Sequence, residues 1–138
     1  MEMKITFPGG LRVDAAFGDR VIATDQSVSN GGEGSAPEPY SLFLASIGTC
    51  AGIYVLSFCK NHGLPTEGVS LTQRMHFDAK TRRLARIDLE ITVPPGFSER
   101  HRKALERSAE LCAVKRALAD PPEFVVSCPG DELPVAAI

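Results

Sequence analysis

The sequence predicts a single α+β domain over residues 1–138, with the element order βββ-α-ββ-αα-β. Alternating strand patterns broken by glycine turns come first, and one long apolar helix follows them. A second pair of alternating strands and two shorter helical segments come next. A chain of 138 residues with 43% hydrophobic side chains can bury a core of its own. No internal repeat or second domain is visible.

The first three strands form a predicted meander over residues 3–24. Polar and apolar side chains alternate on both sides of the turn at Pro8-Gly9-Gly10, and Gly18-Asp19 gives a second turn. Residues 25–39 are rich in Gly, Ser, Pro and acidic residues, which is typical of a loop. Their glycine spacing fits neither nucleotide-binding fingerprint, so a plain loop is favoured over a phosphate cradle.

The long helix is predicted to begin near Pro39 and to end around residues 61–63, where a glycine supplies a left-handed stop. It contains 18 consecutive uncharged residues, from Leu42 to Cys59. That length is marginal for a membrane span, but several Ser, Thr and Gly residues dilute its hydrophobicity. The flanking segments also resemble soluble α+β sequence. A core helix, apolar on nearly all sides, is therefore favoured over a membrane segment.

A β-hairpin follows the long helix. Residues 69–78 and 86–93 alternate between apolar side chains on one face and polar side chains on the other. This period of two predicts a sheet with one wet face. Pro94-Pro95-Gly96 ends the second strand.

The last third of the chain is predicted to be mostly helical. Ser98 is a good N-cap for a helix that reaches about Leu111, and a shorter helix covers residues 114–119. Phe124-Val125-Val126 is predicted as the final strand, and the last dozen residues as a tail.

Charge and targeting signals indicate a soluble cytoplasmic protein. The net charge is -2 and the pI is about 5.9, and the basic residues form short groups separated by acids, so neither nucleic-acid nor membrane binding is expected. The first residues run straight into an alternating pattern without a signal peptide. In the reducing cytoplasm, cysteines tend to be buried, catalytic or metal-binding rather than paired in structural disulfides.

The four cysteines differ in what they can do. Cys50 and Cys59 are nine residues apart in one helix, which places them on opposite faces, so they cannot pair with each other. Small neighbours of Cys50 let a substrate approach, although buried packing is the common role of a lone helical cysteine. Cys112 lies at a helix junction, where it either packs or is activated by free N–H groups and by nearby Lys115 and Arg116.

Metal binding is the competing use of these side chains. Zinc sites usually contain close ligand pairs, whereas the cysteine spacings here are 9, 53 and 16. His62, His76 and His101 lie in three different elements. We therefore expect no metal and no cofactor. Cys128, near the C-terminus, is expected to be incidental, and no local signature places a histidine beside Cys50 for hydrolytic chemistry.

Two segments resemble the OsmC/Ohr superfamily. Residues 37–52, PEPYSLFLASIGTCAG, are similar to its first-cysteine helix, in which a P-x-E-L start leads to a cysteine some ten residues later. Residues 110–118, ELCAVKRAL, are similar to its second motif, a helix ending in cysteine that is followed by a small residue, Val and a short helix. The element order also fits, and the resemblance covers nearly the whole chain. The glycine-rich segment at Gly31-Gly32, before the long helix, is similar to that of the YhfA-like branch of the superfamily.

The resemblance implies an intertwined homodimer in which the long central helices of both chains pack together. It also implies a thiol-dependent peroxidase that protects against oxidative or osmotic stress. Cys50 would attack a small organic hydroperoxide and become a sulfenic acid, and Cys112 would resolve it as a disulfide that a dithiol reductant reopens.

The sequence departs from the family pattern at two positions. The family's catalytic glutamate is replaced by Ser41, and its catalytic arginine is absent from residues 28–31. Glu38 and Arg20 are the nearest candidates for these supporting roles. A cation normally lowers the pKa of a reactive thiol, and this chain lacks the family's arginine. The alternative is therefore a non-peroxidase member that binds a small ligand or senses oxidants.

Overall fold

The computed structural model describes residues 1–128 and confirms the α+β class. Two small antiparallel sheets and three α-helices form within this part of the chain. The elements are β1 (Lys4–Gly9), β2 (Arg12–Phe17), β3 (Arg20–Ile22), a 3-10 turn (Val28–Asn30), α1 (Pro39–Asn61), β4 (Ser70–Phe77), β5 (Leu84–Thr92), α2 (Glu99–Glu110) and α3 (Ala113–Ala119).

The final strand predicted at Phe124-Val125-Val126 is wrong. These residues adopt no regular structure, and they are 83%, 83% and 95% exposed. Their side chains favour strands, but a strand also needs a neighbour to satisfy its backbone hydrogen bonds. No strand within residues 1–128 lies beside them. Most of the predicted tail, residues 129–138, lies outside the described residues.

The two sheets are built from sequential antiparallel strands. In the first, with the order β1-β2-β3, Ile5 lies opposite Ala15, and an irregularity follows Thr6. In the second, β4 and β5 form the predicted hairpin and pair from Ser70 opposite Thr92 to Phe77 opposite Leu84, with an irregularity after His76.

The core lies between α1, α2, α3 and the hairpin β4–β5. Helix α1 buries every fourth side chain along one face, because residues four apart lie nearly above one another on a helix. These buried residues are Ile47, Ala51, Val55 and Cys59. Phe97, Leu105, Ala109 and Cys112 meet the last three of them from the other elements.

The opposite face of α1 is apolar but uncovered. Ile53 is 58% exposed, and Leu56 is exposed as well. Tyr40 and Phe43, at the N-terminal end of the helix, continue the side of the buried row and are also exposed. By length and composition the helix could cross a membrane, and only 22% of its most apolar window is buried within the chain. A single chain therefore buries only one side of α1.

One buried carboxylate organises the loop between β3 and α1. Asp25 is 1% exposed, and it accepts hydrogen bonds from the backbone N–H groups of Gln26, Glu33 and Ser35 and from the Ser35 hydroxyl. These bonds hold the pKa of Asp25 below its ordinary value, those from Ser35 most strongly. Gly32 packs so closely that a Cβ there would lie 2.1 Å from the Gln26 carbonyl oxygen.

Candidate thiol site

The fold brings Cys50 and Cys112 together. Cys50 lies in the middle of α1, and Cys112 is the N-cap residue of α3. Helix α3 packs against α1, so the Cys50 sulfur faces the first residues of α3 and the Cys112 thiol. Cys50 is partly buried, Cys112 is fully buried, and both are free thiols.

The position of Cys112 follows from the break between α2 and α3. Helix α2 ends at Glu110, and Cys112 then has φ -59° and ψ 134°, outside the helical region. An N-cap side chain in this conformation can accept from the free N–H groups of the first turn. The Cys112 sulfur does so from the N–H of Lys115, at 3.4 Å.

The same free N–H groups act on Cys50. Its pKa is lowered from the ordinary value, chiefly because the backbone N–H of Val114 donates to its sulfur. Burial opposes this shift by disfavouring the charged thiolate. The thiol of Cys112, the N–H of Ala113 and the positive charge of Arg116 lower the pKa further. The surroundings of Cys50 thus favour a thiolate, the nucleophilic form of cysteine.

Arg116 supplies a positive charge to Cys50, although the sequence had associated this charge with Cys112. The spacing placed Lys115 and Arg116 near Cys112, whereas the structure brings the charge of Arg116 to bear on Cys50. No local sequence pattern relates these two residues, because the relationship depends on how α3 docks against α1.

The other two cysteines lie in different surroundings. Cys59 is fully buried, and burial raises the pKa of its thiol. Cys128 is exposed. The environment of Cys59 therefore disfavours a thiolate, in contrast to that of Cys50.

Glu38 lies at the start of α1, where its carboxylate holds the preceding loop. It accepts hydrogen bonds from the Ser27 N–H and the Asn30 side chain, each at 3.0 Å. Its pKa is lowered, first by the Ser27 hydroxyl and then by these two donors. Glu38 is therefore engaged in capping a loop rather than in contact with either thiol.

Arg20 lies at the first position of β3, opposite Phe17 of β2. Its side chain is exposed and forms no ion pair with any residue between 1 and 128. Within one chain the structure does not bring Arg20 to the pair of thiols.

Sequence reasoning missed Gln73, which lies on the inner face of β4. Its Nε2 donates to the Leu44 carbonyl oxygen of α1 at 2.9 Å, while its Oε1 is buried without a hydrogen-bond partner. The side chain lies over Gly48, where a Cβ would be 2.6 Å from Oε1. A polar residue at an apolar position of an alternating strand was the available signal.

Two cavities border α1, on different sides of the helix. One of about 590 Å³ lies between β5, α2 and α3, and its wall includes Ile47 and Lys115. Ile47 precedes Cys50 by three residues, so the two side chains point only about 60° apart around the helix. The other cavity, of about 450 Å³, lies against β4, where Gly48 and Gln73 line it. It is on the side of α1 away from Cys50.

Among residues 1–128, no three or more His, Cys, Asp and Glu side chains converge to form a metal-ion site.

Comparison with known families identifies the same region. A family model described as OsmC-like protein matches residues 32–127, a span that includes both Cys50 and Cys112. A search of curated proteins finds no match.

Several solved structures share the fold. A Psychrobacter arcticus 273-4 protein, described as an osmotic stress induced and detoxification response protein, is 24% identical with a TM-score of 0.70; the alignment covers 83% of this chain and 85% of that one. The organic hydroperoxide resistance protein OsmC of Legionella pneumophila is 22% identical with a TM-score of 0.53, over 86% and 89% of the two chains. A hypothetical protein of Aquifex aeolicus VF5 is 18% identical with a TM-score of 0.61, over 87% of each chain.

Proposed function

The chain belongs to the OsmC-like protein family, and we propose that it is a thiol-dependent peroxidase that reduces organic hydroperoxides during oxidative or osmotic stress. The observation that supports this most is the placement of the Cys50 sulfur beside the Cys112 thiol and the free N–H groups of α3. A stress-related redox role also agrees with the name of the Legionella protein, which is called an organic hydroperoxide resistance protein. The assignment to the YhfA-like branch stays a prediction.

In the proposed reaction, the Cys50 thiolate attacks one oxygen of the peroxide. A sulfur–oxygen bond forms, the O–O bond breaks, and the leaving alkoxide takes a proton from solvent to become an alcohol. The N–H groups of Val114 and Ala113 and the charge of Arg116 favour the thiolate that begins this step. Cys50 is left as a sulfenic acid.

Cys112 then closes the oxidised half of the cycle. Its sulfur attacks the Cys50 sulfur, a disulfide forms, and the hydroxyl group leaves as water with the proton that Cys112 gives up. A dithiol reductant reopens the disulfide and is itself oxidised to a disulfide. Because Cys112 lies beside Cys50 in the reduced protein, this step requires only a local adjustment.

The cavity of about 590 Å³ between β5, α2 and α3 is the proposed binding site for the organic part of the hydroperoxide. Its wall includes Ile87, Leu89 and Leu118 as well as Ile47, which points to nearly the same side of α1 as Cys50. The wall also contains the charged residues Arg86, Glu106, Glu110 and Lys115, so its apolar part would take the hydrocarbon group of the substrate. Neither Glu38 nor Arg20 of the same chain is assigned a role in the proposed reaction.

We also propose that the protein is a homodimer in the cytoplasm, where thiols are kept reduced. The uncovered side of α1 and the apolar side chains of the β1–β3 sheet leave more apolar surface in solvent than a stable monomer usually exposes. Val21 is 64% exposed and Phe7 is 79% exposed. A second copy that covers α1 would also explain such an apolar helix in a protein that does not enter a membrane.

A second candidate function, binding of a small ligand without peroxidase activity, is favoured by the cavity against β4. It is about 450 Å³ in volume and mostly apolar, and it contains the unpartnered Oε1 of Gln73. A ligand with one hydrogen-bond donor on an apolar body would satisfy that oxygen. Binding there would survive loss of Cys112, which separates it from the peroxidase reaction.

Steady-state consumption of cumene hydroperoxide with dithiothreitol as reductant tests the proposed function. We expect the parent protein to turn over and Cys50→Ser to be inactive. Cys128→Ser removes an exposed thiol from the same protein and should retain the parent rate. Equal consumption by Cys50→Ser and the parent would show that the assignment is wrong.

A further inference from the structure

A basic pocket lies at the end of the helices away from the thiol site. It has a volume of about 430 Å³ and occupies the groove between the C-terminal end of α1 and α2, from the first turn of α2 to its last. Its lining consists of Phe58, His62, Arg100, His101, Ala104 and Arg107. Four of these six side chains are cationic or can become so, and within residues 1–128 no carboxylate lines the pocket.

The α2 wall of the pocket is built by helix periodicity. Arg100, Ala104 and Arg107 follow the i, i+4, i+7 spacing, so they share one face of the helix. The small Ala104 between two long side chains leaves room for a ligand. Neither arginine forms an ion pair with any residue from 1 to 128, whereas Lys103 on the same helix pairs with Glu99 at 3.1 Å. Both guanidinium groups are therefore available to an anion.

The α1 wall is aromatic. The rings of Phe58 and His62 stack at 4.1 Å between centroids, and His101 meets His62 edge-on at 6.5 Å. The Nδ1 atom of His62 lies 2.9 Å from the Phe58 carbonyl oxygen, which can only accept, so Nδ1 carries the hydrogen. The N–H of His62 donates to the same oxygen. A carbonyl that would otherwise repel an anion is thus occupied.

The backbone of α2 adds to the same positive character. The first turn of this 12-residue helix, which holds Arg100 and His101, carries the positive end of the helix dipole, and the acidic Glu99 in that turn pairs with Lys103. Two planar guanidinium groups beside imidazoles offer several directed N–H donors, which match the oxygens of a phosphate group. The volume exceeds what inorganic phosphate needs, and the stacked rings provide a surface for an apolar or aromatic group.

From these features we infer that this pocket binds a phosphate monoester that carries an apolar or aromatic group. Arg100 and Arg107 hold the phosphate, and the Phe58–His62 stack contacts the remainder of the molecule. The site is separate from Cys50 and Cys112, and its occupancy does not depend on the proposed peroxidase reaction.

Isothermal titration calorimetry with phenyl phosphate on the full-length protein tests the inference. We expect Arg100→Gln combined with Arg107→Gln to weaken binding at least about tenfold, because two charge-assisted contacts are lost. The matched control is Lys80→Gln combined with Arg83→Gln in the β4–β5 turn, which removes the same charge from exposed positions. It should bind like the parent, as should Cys50→Ser.

Two further titrations and a cosedimentation experiment define the ligand. Ala104→Leu keeps both arginines but fills the groove, and it should weaken phenyl phosphate binding more than inorganic phosphate binding. Benzoate should bind more weakly than phenyl phosphate to the parent protein. Cosedimentation with vesicles of phosphatidylcholine and phosphatidic acid distinguishes the source of the phosphate. If the parent protein cosediments with the vesicles and the Arg100/Arg107 double variant does not, the phosphate group is that of a lipid headgroup.

Several outcomes would overturn the inference. Failure of the parent protein to bind both phenyl phosphate and the vesicles would do so. Equal affinity of the parent and the Arg100/Arg107 variant would show that the pocket is not the site. Benzoate binding as tightly as phenyl phosphate would exclude a phosphate-specific site. Circular dichroism of each variant confirms that a loss of binding does not come from a loss of folding.

Discussion

The thiol of Cys50 in α1 faces the thiol of Cys112, the residue that caps α3, although 62 residues separate them in sequence. Both sulfurs lie at the start of the same short helix. The N–H of Val114 acts on one and the N–H of Lys115 on the other. One helix start thus positions the pair and favours the thiolate of Cys50.

We predict that Arg116→Gln raises the pKa of Cys50. The positive charge of Arg116 contributes to the lowered pKa, so its removal should shift the pH profile of iodoacetamide alkylation to higher pH and slow the reaction at neutral pH. The measurement is best made in a Cys112→Ser, Cys128→Ser background. Arg83→Gln, in an exposed turn, is the control and should leave the profile unchanged. An unshifted profile in Arg116→Gln would contradict the prediction.

Much of the fold follows from local sequence patterns. Glycine turns, alternating strands and the apolar run from Leu42 to Cys59 mark the five strands and α1, and the N-cap residue Ser98 marks the start of α2. The prediction of a strand at Phe124-Val125-Val126 is wrong, because β-propensity alone cannot show whether a neighbouring strand exists to pair with it.

The candidate site was only partly accessible to sequence reasoning. The resemblance nominated Cys50 and Cys112 through two motifs, yet the action of Arg116 on Cys50 depends on the docking of α3 and leaves no local pattern. Glu38 was nominated by its distance along the chain from a family position. The structure instead shows its carboxylate bonded to Ser27 and Asn30.

Alanine substitutions at two glycines of α1 should change the free energy of unfolding in opposite directions. A Cβ at Gly48 would lie 2.6 Å from Gln73 Oε1 and would disturb the bond from Gln73 to the Leu44 carbonyl, so Gly48→Ala should lower the free energy of unfolding by about 1 kcal/mol. A Cβ at Gly52 meets nothing within 4 Å. Gly52→Ala should therefore raise the free energy of unfolding by up to about 1 kcal/mol through helix propensity.

Urea unfolding of both variants measures these changes. Gln73→Ala combined with Gly48→Ala should recover most of the loss caused by Gly48→Ala, because the clashing oxygen is absent. Equal effects of the two glycine substitutions would show that Gln73 does not constrain α1.

The loop carboxylate Asp25 should make the free energy of unfolding depend on pH in the acidic range. Its pKa is lowered in the folded protein, so its contribution is fully present above the unfolded pKa of about 3.9 and is lost as the pH falls through the lower folded value. Asp25→Asn should lower the urea midpoint at pH 7 and flatten the decline in stability between about pH 5 and pH 2. Asp19→Asn, at an exposed turn, is the control. A midpoint for Asp25→Asn equal to that of the parent at pH 7 would refute this role.

The proposed homodimer depends on the uncovered side of α1. Ile53→Glu places a charge on this side, and in a buried interface an unpaired charge should raise the dimer dissociation constant by more than about a hundredfold. Val28→Glu makes the same change at a residue 73% exposed in the loop before α1 and should have little effect. Sedimentation velocity over a range of concentrations measures both. A parent protein that remains monomeric at high concentration would contradict the proposal.

The pairing of Cys50 with Cys112 is the central claim, and mass spectrometry of the oxidised protein tests it most directly. The reduced protein is treated with one equivalent of cumene hydroperoxide, free thiols are alkylated, and peptides are analysed without reduction. We predict an intramolecular Cys50–Cys112 disulfide, with Cys59 and Cys128 recovered as alkylated thiols. Recovery of all four cysteines as free thiols, or oxidation of Cys50 without a bond to Cys112, would contradict the account.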